Sequence, residues 1–301
     1  MGKIEEFIID SESLKSNCIG ENTMQKNAIY LPASYSVSDR FYPTVYFLHG
    51  FSQSYRQIYR LKKILDRFMM EKKREFIFVS VNGNNKFGGS FWADSPVTGN
   101  WTDYFINEVI PYVDSEYRTL KSEYSRSISG FSMGAGAAIS LLMKHPEIFQ
   151  TGYALCPGVL GNRDLRKSAA SWAHSVLQAY AASFSPDVTM EFPHGRIPQW
   201  DGTEKDNRVI NCWLDAFPGS MKRISDFKAK GRNFKALQID YAINDEYTWL
   251  IEGVKSLSEI FHSEGISHTL NAMDIEHEIN HSVAENSMLV FLADNMRFSG
   301  E

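Results

Sequence analysis

The residues best suited to covalent chemistry lie at Gly130-Phe131-Ser132-Met133-Gly134, a G-x-S-x-G pattern. Glycines two places to either side of a serine let a strand turn sharply into a helix, because side chains there would collide, and the turn lifts the hydroxyl above the sheet. Ser132 is therefore the candidate nucleophile. A serine hydroxyl is a weak nucleophile at neutral pH unless a base accepts its proton and a third group orients that base. The acid is sought past a strand end, where side chains of a parallel sheet converge. Asp245 fits, in Ala242-Ile243-Asn244-Asp245-Glu246 after the run Lys235 to Tyr241. Its rivals are Glu246, one residue on, and Asp240, which lies inside the strand. A helix N-cap ahead of Tyr247-Thr248-Trp249-Leu250 is the ordinary structural use of such an aspartate. The base is sought after the last strand, and His277 follows Met273-Asp274-Ile275-Glu276 there, with His281 as competitor. The order serine, acid, histidine is the one this strand-turn-helix setting requires.

Catalysis of acyl transfer also needs donors for the oxygen that becomes negative. His49-Gly50-Phe51 ends an earlier apolar run, so the amides of Phe51 and Met133 are the expected pair, with His49 holding the loop by hydrogen bonding. For the pocket, Phe51, Phe91, Trp92, Trp101 and Trp200 are aromatic candidates. Trp92 and Trp101 are favoured, because Asp94-Ser95-Pro96 and Gly99-Asn100 lie beside them. Aromatic walls would suit an aromatic or sugar-bearing ester.

A different chemistry competes at the same histidine. His277-Glu278-Ile279-Asn280-His281 fits H-E-x-x-H, which on one helix would give zinc two imidazoles and leave Glu278 as general base of a metallopeptidase. The match begins where the last strand should end, and the helical period starts only at Ser282. No metal or cofactor is expected on the serine reading. Asp201-Gly202-Thr203-Glu204-Lys205-Asp206 lacks calcium-loop spacing and is expected to be a polar turn.

The elements that must position these groups follow from periodicity. Thr44 to Leu48 and Phe76 to Val81 are nearly continuous apolar runs, as expected of strands covered on both faces. Between them Ile58, Leu61, Leu65 and Phe68 mark the core face of a helix. Arg126 to Ser129, Tyr153 to Cys156, Lys235 to Tyr241 and His268 to Met273 are further strands, with helices near 247–263 and 282–296. Trp101, Phe105 and Val109 start another helix, which Pro111 should kink or end. This alternation predicts an α/β fold with a mostly parallel sheet flanked by helices. From about Gly161 to Arg232 the alternation breaks. One Ala-rich helical piece is followed by Pro186, Pro193, Pro198 and Pro218 in polar surroundings, which predicts an inserted cap in a single domain spanning 1–301.

Composition limits the alternatives. The 301 residues are 43% hydrophobic and 13% aromatic, enough to bury a full core. With 31 Lys+Arg against 36 Asp+Glu the formal charge is −5, which supplies no field for a polyanion, so no nucleic-acid partner is expected. The uncharged stretch Ser127 to Met143 is broken by three glycines and is shorter than the ~20 residues of a membrane helix, so no membrane partner is expected either. Cys18, Cys156 and Cys212 are too few for a disulfide framework. A cytoplasmic location is the default expectation, and secretion stays open if a leader has been removed. The expected partner is a small-molecule or carbohydrate-linked ester; oligomeric state is not legible.

Several motifs together resemble a known family. Phe47-Leu48-His49-Gly50, Ile110-Pro111-Tyr112-Val113-Asp114 leading to Tyr117-Arg118-Thr119, Gly130-Phe131-Ser132-Met133-Gly134-Ala135 and His145-Pro146-Glu147-Ile148-Phe149 occur in the order found in the putative-esterase branch of the α/β-hydrolases. That branch includes esterase D-type thioesterases, feruloyl and acetylxylan esterases and mycolyltransferases. The C-terminal part resembles it through Asn244-Asp245 and His277-Glu278-Ile279, with Ile275 where related enzymes usually have glycine. The resemblance implies an α/β-hydrolase fold and an acyl-enzyme route for a serine esterase, with feruloyl, cinnamoyl or acetyl esters of carbohydrates as candidate substrates. Acyl transfer to an alcohol is the alternative on the same site.

Overall fold

The structure, a computed structural model, describes residues 1–160 and 165–300. Its strands are β1 (Lys3–Asp10), β2 (Met24–Leu31), β3 (Thr44–Leu48), β4 (Ile77–Val81), β5 (Asp94–Ser95), β6 (Gly99–Asn100), β7 (Arg126–Phe131), β8 (Thr151–Leu155), β9 (Ala236–Ala242) and β10 (Thr269–Met273). Eight of them form one sheet in the order β1-β2-β4-β3-β7-β8-β9-β10, while β5 and β6 make a separate ribbon. The pairings β1·β2 and β2·β4 are antiparallel and every other pairing in the large sheet is parallel. The two N-terminal strands were not anticipated. Lys3, Glu6, Ile8 and Asp10 are exposed on the edge strand β1, so charged residues interleave with its apolar ones and hide its period.

The helices are α1 (Gln57–Lys72), α2 (Trp101–Asp103), α3 (Ile110–Glu116), α4 (Met133–Lys144), α5 (Leu165–Ala169), α6 (His174–Phe184), α7 (Glu204–Asp215), α8 (Met221–Ala229), α9 (Thr248–Ser263), α10 (His281–Val283) and α11 (Leu289–Asn295). Helix α1 buries Ile58, Leu61, Ile64, Leu65, Phe68 and Met69 and ends where Lys73 enters the left-handed region. Strand β3 shows why the central runs are continuously apolar. Its Val45 and Phe47 pack with α1 and α11 on one face, while Tyr46 and Leu48 pack with α3 and α4 on the other. Each such side chain contributes roughly 1.5–3 kcal/mol of burial.

Pro111 does not end its helix. A π-helical turn, Tyr104–Val109, runs directly into α3 with the proline in the first turn. The wider turn accommodates the missing N–H and the ring without a break.

Between β8 and β9 the sequence led us to expect one helix, and four are present among the described residues, α5 to α8. Helices α7 and α8 are amphipathic and capped by Thr203 and Ser220, whose hydroxyls accept from the Asp206 and Arg223 amides. Residues 161–164, the start of the expected cap, lie outside the described residues. Of the expected turn Asp201 to Asp206, only Asp201 to Thr203 lies outside a helix, since Glu204 to Asp206 begin α7; the buried Asp206 carboxylate accepts the amides of Gln199, Trp200 and Asp201. No helix among the described residues is long and apolar enough to cross a membrane.

Candidate active site

In the parallel register Leu48 lies beside Gly130, Phe131 beside Leu155, and Leu155 beside Asp240, so the carboxyl ends of β3, β7, β8 and β9 reach one edge of the sheet. Ser132 stands at that edge between β7 and α4, with φ 53° and ψ −116°. A non-glycine residue in such a conformation is strained and must be held by its surroundings. The Ser132 amide donates to the Leu155 carbonyl at 2.9 Å, and its own carbonyl accepts from Ala135, Gly136 and Gly158 at 3.0–3.1 Å. The flanking glycines are required by close approach. A Cβ on Gly130 would lie 2.3 Å from the Gly134 oxygen, and one on Gly134 would lie 2.1 Å from the Leu48 oxygen.

The structure brings the three sequence-selected residues into one hydrogen-bonded relay. Ser132 Oγ lies 2.9 Å from His277 Nε2, and His277 Nδ1 lies 2.7 Å from Asp245 Oδ2. A carboxylate only accepts, so the imidazole proton sits on Nδ1 and Nε2 is free to accept from the serine. Asp245 Oδ1 accepts the Tyr247 amide at 2.8 Å, so the turn-holding role and the histidine-facing role fall on different oxygens of one carboxylate. The imidazole is fixed sideways as well. The Phe131 ring lies 4.9 Å from it, tilted, and the Tyr247 ring meets it edge-on at 5.1 Å.

His281 opens α10, whereas His277 lies in the preceding loop outside any helix. The two imidazoles therefore do not share a helix face as H-E-x-x-H zinc binding requires. Among the described residues, the one group of histidine, cysteine or carboxylate side chains close enough to hold a metal is Cys156, Asp245 and His277, with ligand atoms within 4.8 Å of one another. It overlaps the relay. Burial pushes the Cys156 thiol up to about 12, so it stands there as a neutral group.

The amides of Phe51 and Met133 donate to no described residue, and both residues line the cavity at Ser132. His49 supports that corner. It is fully buried, its Nε2 accepts the Gly83 amide at 2.9 Å, and Nδ1–H donates to the Gly50 carbonyl at 2.8 Å. Burial lowers its pKa to about 4, which keeps it neutral and preserves the Gly83 bond.

The cavity has a volume of about 760 Å³. Phe51 and Phe91 line it, and Trp92 borders it while packing edge-on against His49 at 5.2 Å. Trp101 does not reach it. Its indole N–H donates to the Thr98 carbonyl at 2.8 Å and its ring meets Tyr104, so the side chain is satisfied and wholly buried in the core. Trp200 likewise lies away from the lining, over Arg166. The aromatic wall comes instead from Trp172, Tyr180, Phe217 and Trp249, which the sequence reading missed. The available signal was Tyr180 and Phe184, four apart in the Ala-rich helix.

The family model described as putative esterase matches residues 18–197, more than half of the chain. The chain belongs to the putative-esterase family. Among curated relatives, an esterase of Mycobacterium tuberculosis is 28% identical over 122 residues, covering 39% of this chain and 25% of its own. An endo-1,4-beta-xylanase/feruloyl esterase of Xylanibacter ruminicola is 27% identical over 161 residues, covering 49% of this chain and 20% of its own. The matches thus span a quarter or less of these two relatives. Solved structures match over nearly the whole chain. A ferulic acid esterase superposes with TM-score 0.69 at 18% identity, covering 98% of this chain and 99% of that one. An S-formylglutathione hydrolase from Agrobacterium tumefaciens gives 0.67 at 19%, covering 98% and 96%. The fold of this putative-esterase family member is that of the α/β-hydrolases.

Proposed function

We propose that the chain is a serine carboxylic-ester hydrolase working through an acyl-enzyme. The continuous relay from Ser132 through His277 to Asp245 carries this reading. Ser132 Oγ attacks the ester carbonyl as His277 Nε2 accepts its proton, and Asp245 stabilises the imidazolium that forms. The Phe51 and Met133 amides, which donate to no described residue, would receive the oxyanion. His277 then protonates the departing alcohol. In the second half it takes a proton from water, whose oxygen attacks the acyl carbon, and returns that proton to Ser132 as the acid leaves. The aromatic wall favours bulky esters, and feruloyl esters are the candidates that the relatives' names suggest; cinnamoyl and acetyl esters of carbohydrates are those the family resemblance implies.

The test is intact mass after exposure to a fluorophosphonate, with turnover of a short 4-nitrophenyl ester followed in parallel. One adduct on the wild type and none on Ser132→Ala, with turnover lost in the variant and indifferent to chelator, is the expected result. An adduct that persists in Ser132→Ala, or turnover that vanishes with chelator, would overturn the reading.

A further inference from the structure

Arg223 stands out among the groups lining the cavity that the proposed chemistry does not use. It lies in the first turn of α8, within the helices inserted between β8 and β9, and borders the same cavity as Ser132. Its Nε–H donates to the Asp215 carbonyl at 2.7 Å, which fixes the plane of the guanidinium. Its two terminal nitrogens make no hydrogen bond and no ion pair with a described residue. Asp215 and Asp226 act on it only at longer range, and the Tyr180 hydroxyl, which donates to the Trp213 carbonyl, makes no hydrogen bond with it. Burial pulls the guanidinium below its ordinary pKa, a penalty on the charged form that an anion in the cavity would relieve.

We infer that Arg223 is a specificity residue, and that the preferred substrate is an ester bearing a carboxylate remote from the scissile bond. The inference rests on the ester-hydrolase reading and names its substrate class. A guanidinium with Nε engaged still presents two parallel N–H groups, which match the two oxygens of a carboxylate. The charges around the cavity favour a monoanion over a phosphate dianion. Among the described residues Lys144 is the only other Lys or Arg in the lining, 4.0 Å from Asp94, and Glu246 adds a second negative group. There is room for a substrate that spans the site. Gly136, Ser140 and Lys144, four apart on α4, all line the cavity, so it follows that helix for roughly 18 Å from Ser132.

The test compares kcat/KM for 4-nitrophenyl hemiesters of dicarboxylic acids of increasing length with their neutral counterparts, in which the distal carboxylate is an amide. Acetate esters of 4-hydroxybenzoate and of 4-hydroxybenzamide place the charge on the alcohol side instead. The wild type should prefer the anionic member of at least one pair by about tenfold or more, as charge-assisted hydrogen bonds provide. In Arg223→Gln that ratio should fall toward one, and Arg223→Lys should retain part of it. The ratio is taken within one enzyme, so a loss of folded fraction cancels. A wild-type ratio near one in every pair, or a preference that survives Arg223→Gln, would overturn the inference while Ser132-dependent turnover of the neutral esters left the esterase reading standing. Turnover that persists in Ser132→Ala would remove the esterase reading and this inference with it.

Discussion

Replacing Asp245 by Asn probes the relay at the point where its geometry makes a definite demand. Oδ1 accepts the Tyr247 amide at 2.8 Å and Oδ2 faces His277 Nδ1 at 2.7 Å. An asparagine has one acceptor for these two donors. The Tyr247 amide must keep the carbonyl oxygen, because turning the side chain over would set an NH2 group against a backbone N–H. The asparagine NH2 then faces Nδ1, which can only accept, so the imidazole proton moves to Nε2 and meets Ser132 with the wrong polarity. The serine loses its base although nothing has moved. The equivalent change in a well-studied triad enzyme lowers kcat about 10⁴-fold, or about 5 kcal/mol of barrier, and a similar loss is expected here. The assay is kcat on a short 4-nitrophenyl ester together with the rate of fluorophosphonate labelling, with thermal unfolding to show that the fold is intact. Retention of kcat within about tenfold by a folded Asp245→Asn protein would refute the reasoning.

Two further predictions concern the scaffold around the site. Gly134→Ala places a Cβ 2.1 Å from the Leu48 oxygen and 2.6 Å from the His49 oxygen, both backbone atoms of the central strand and its loop. It should destabilise the fold by more than about 4 kcal/mol and sharply reduce soluble yield; a variant melting within a few degrees of wild type would show that the elbow can relax. His49 titrates at the usual 6.5 when unfolded and near 4 when folded, so between these values the unfolded chain binds more protons and stability falls as pH drops. From pH 7 to pH 4.5 this removes about 2 kcal/mol. In His49→Gln, whose side-chain oxygen can still accept the Gly83 amide, urea unfolding should lose that much less over the same interval, and equal losses in both proteins would show that the imidazole is not responsible.

What the sequence made legible follows physical locality. The G-x-S-x-G turn could be read because Gly130 and Gly134 answer to contacts within a few residues and with the adjoining strand. The central strands were visible because burial on both faces leaves continuous apolar runs such as Thr44 to Leu48. The edge strand β1 was not, since Lys3, Glu5 and Glu6 interrupt its pattern where it meets solvent. The helices between β8 and β9 escaped for a related reason. Their apolar faces pack on one another and on α4, and prolines between them resemble loop punctuation. Trp101 was misplaced because nearby Gly99 and Asn100 suggest an exposed turn, whereas the Thr98 carbonyl satisfies its indole and permits full burial. Position relative to a strand end picked out Asp245 and His277, but it could not exclude Asp240, Glu246 or His281.

The choice between the two aspartates of β9 and its following loop rests on how their oxygens are occupied. Asp240 is wholly buried and saturated. Its Oδ1 accepts from Gln238 and Asn271 at 2.9 Å, and its Oδ2 accepts from the Tyr153 hydroxyl at 2.6 Å and the Ser287 hydroxyl at 2.5 Å. Those donors come from β8, β9, β10 and the π-helical turn after α10, so one carboxylate ties four elements together beneath the site. Every lone-pair direction is taken, which leaves nothing with which to orient a histidine. Asp245 is five residues further along, past the strand end, where a single amide claims one oxygen and the other remains for an imidazole. The same residue type thus serves as a structural tie or as the orienting acid according to how many donors the fold directs at it, and that number is set by strands distant in sequence.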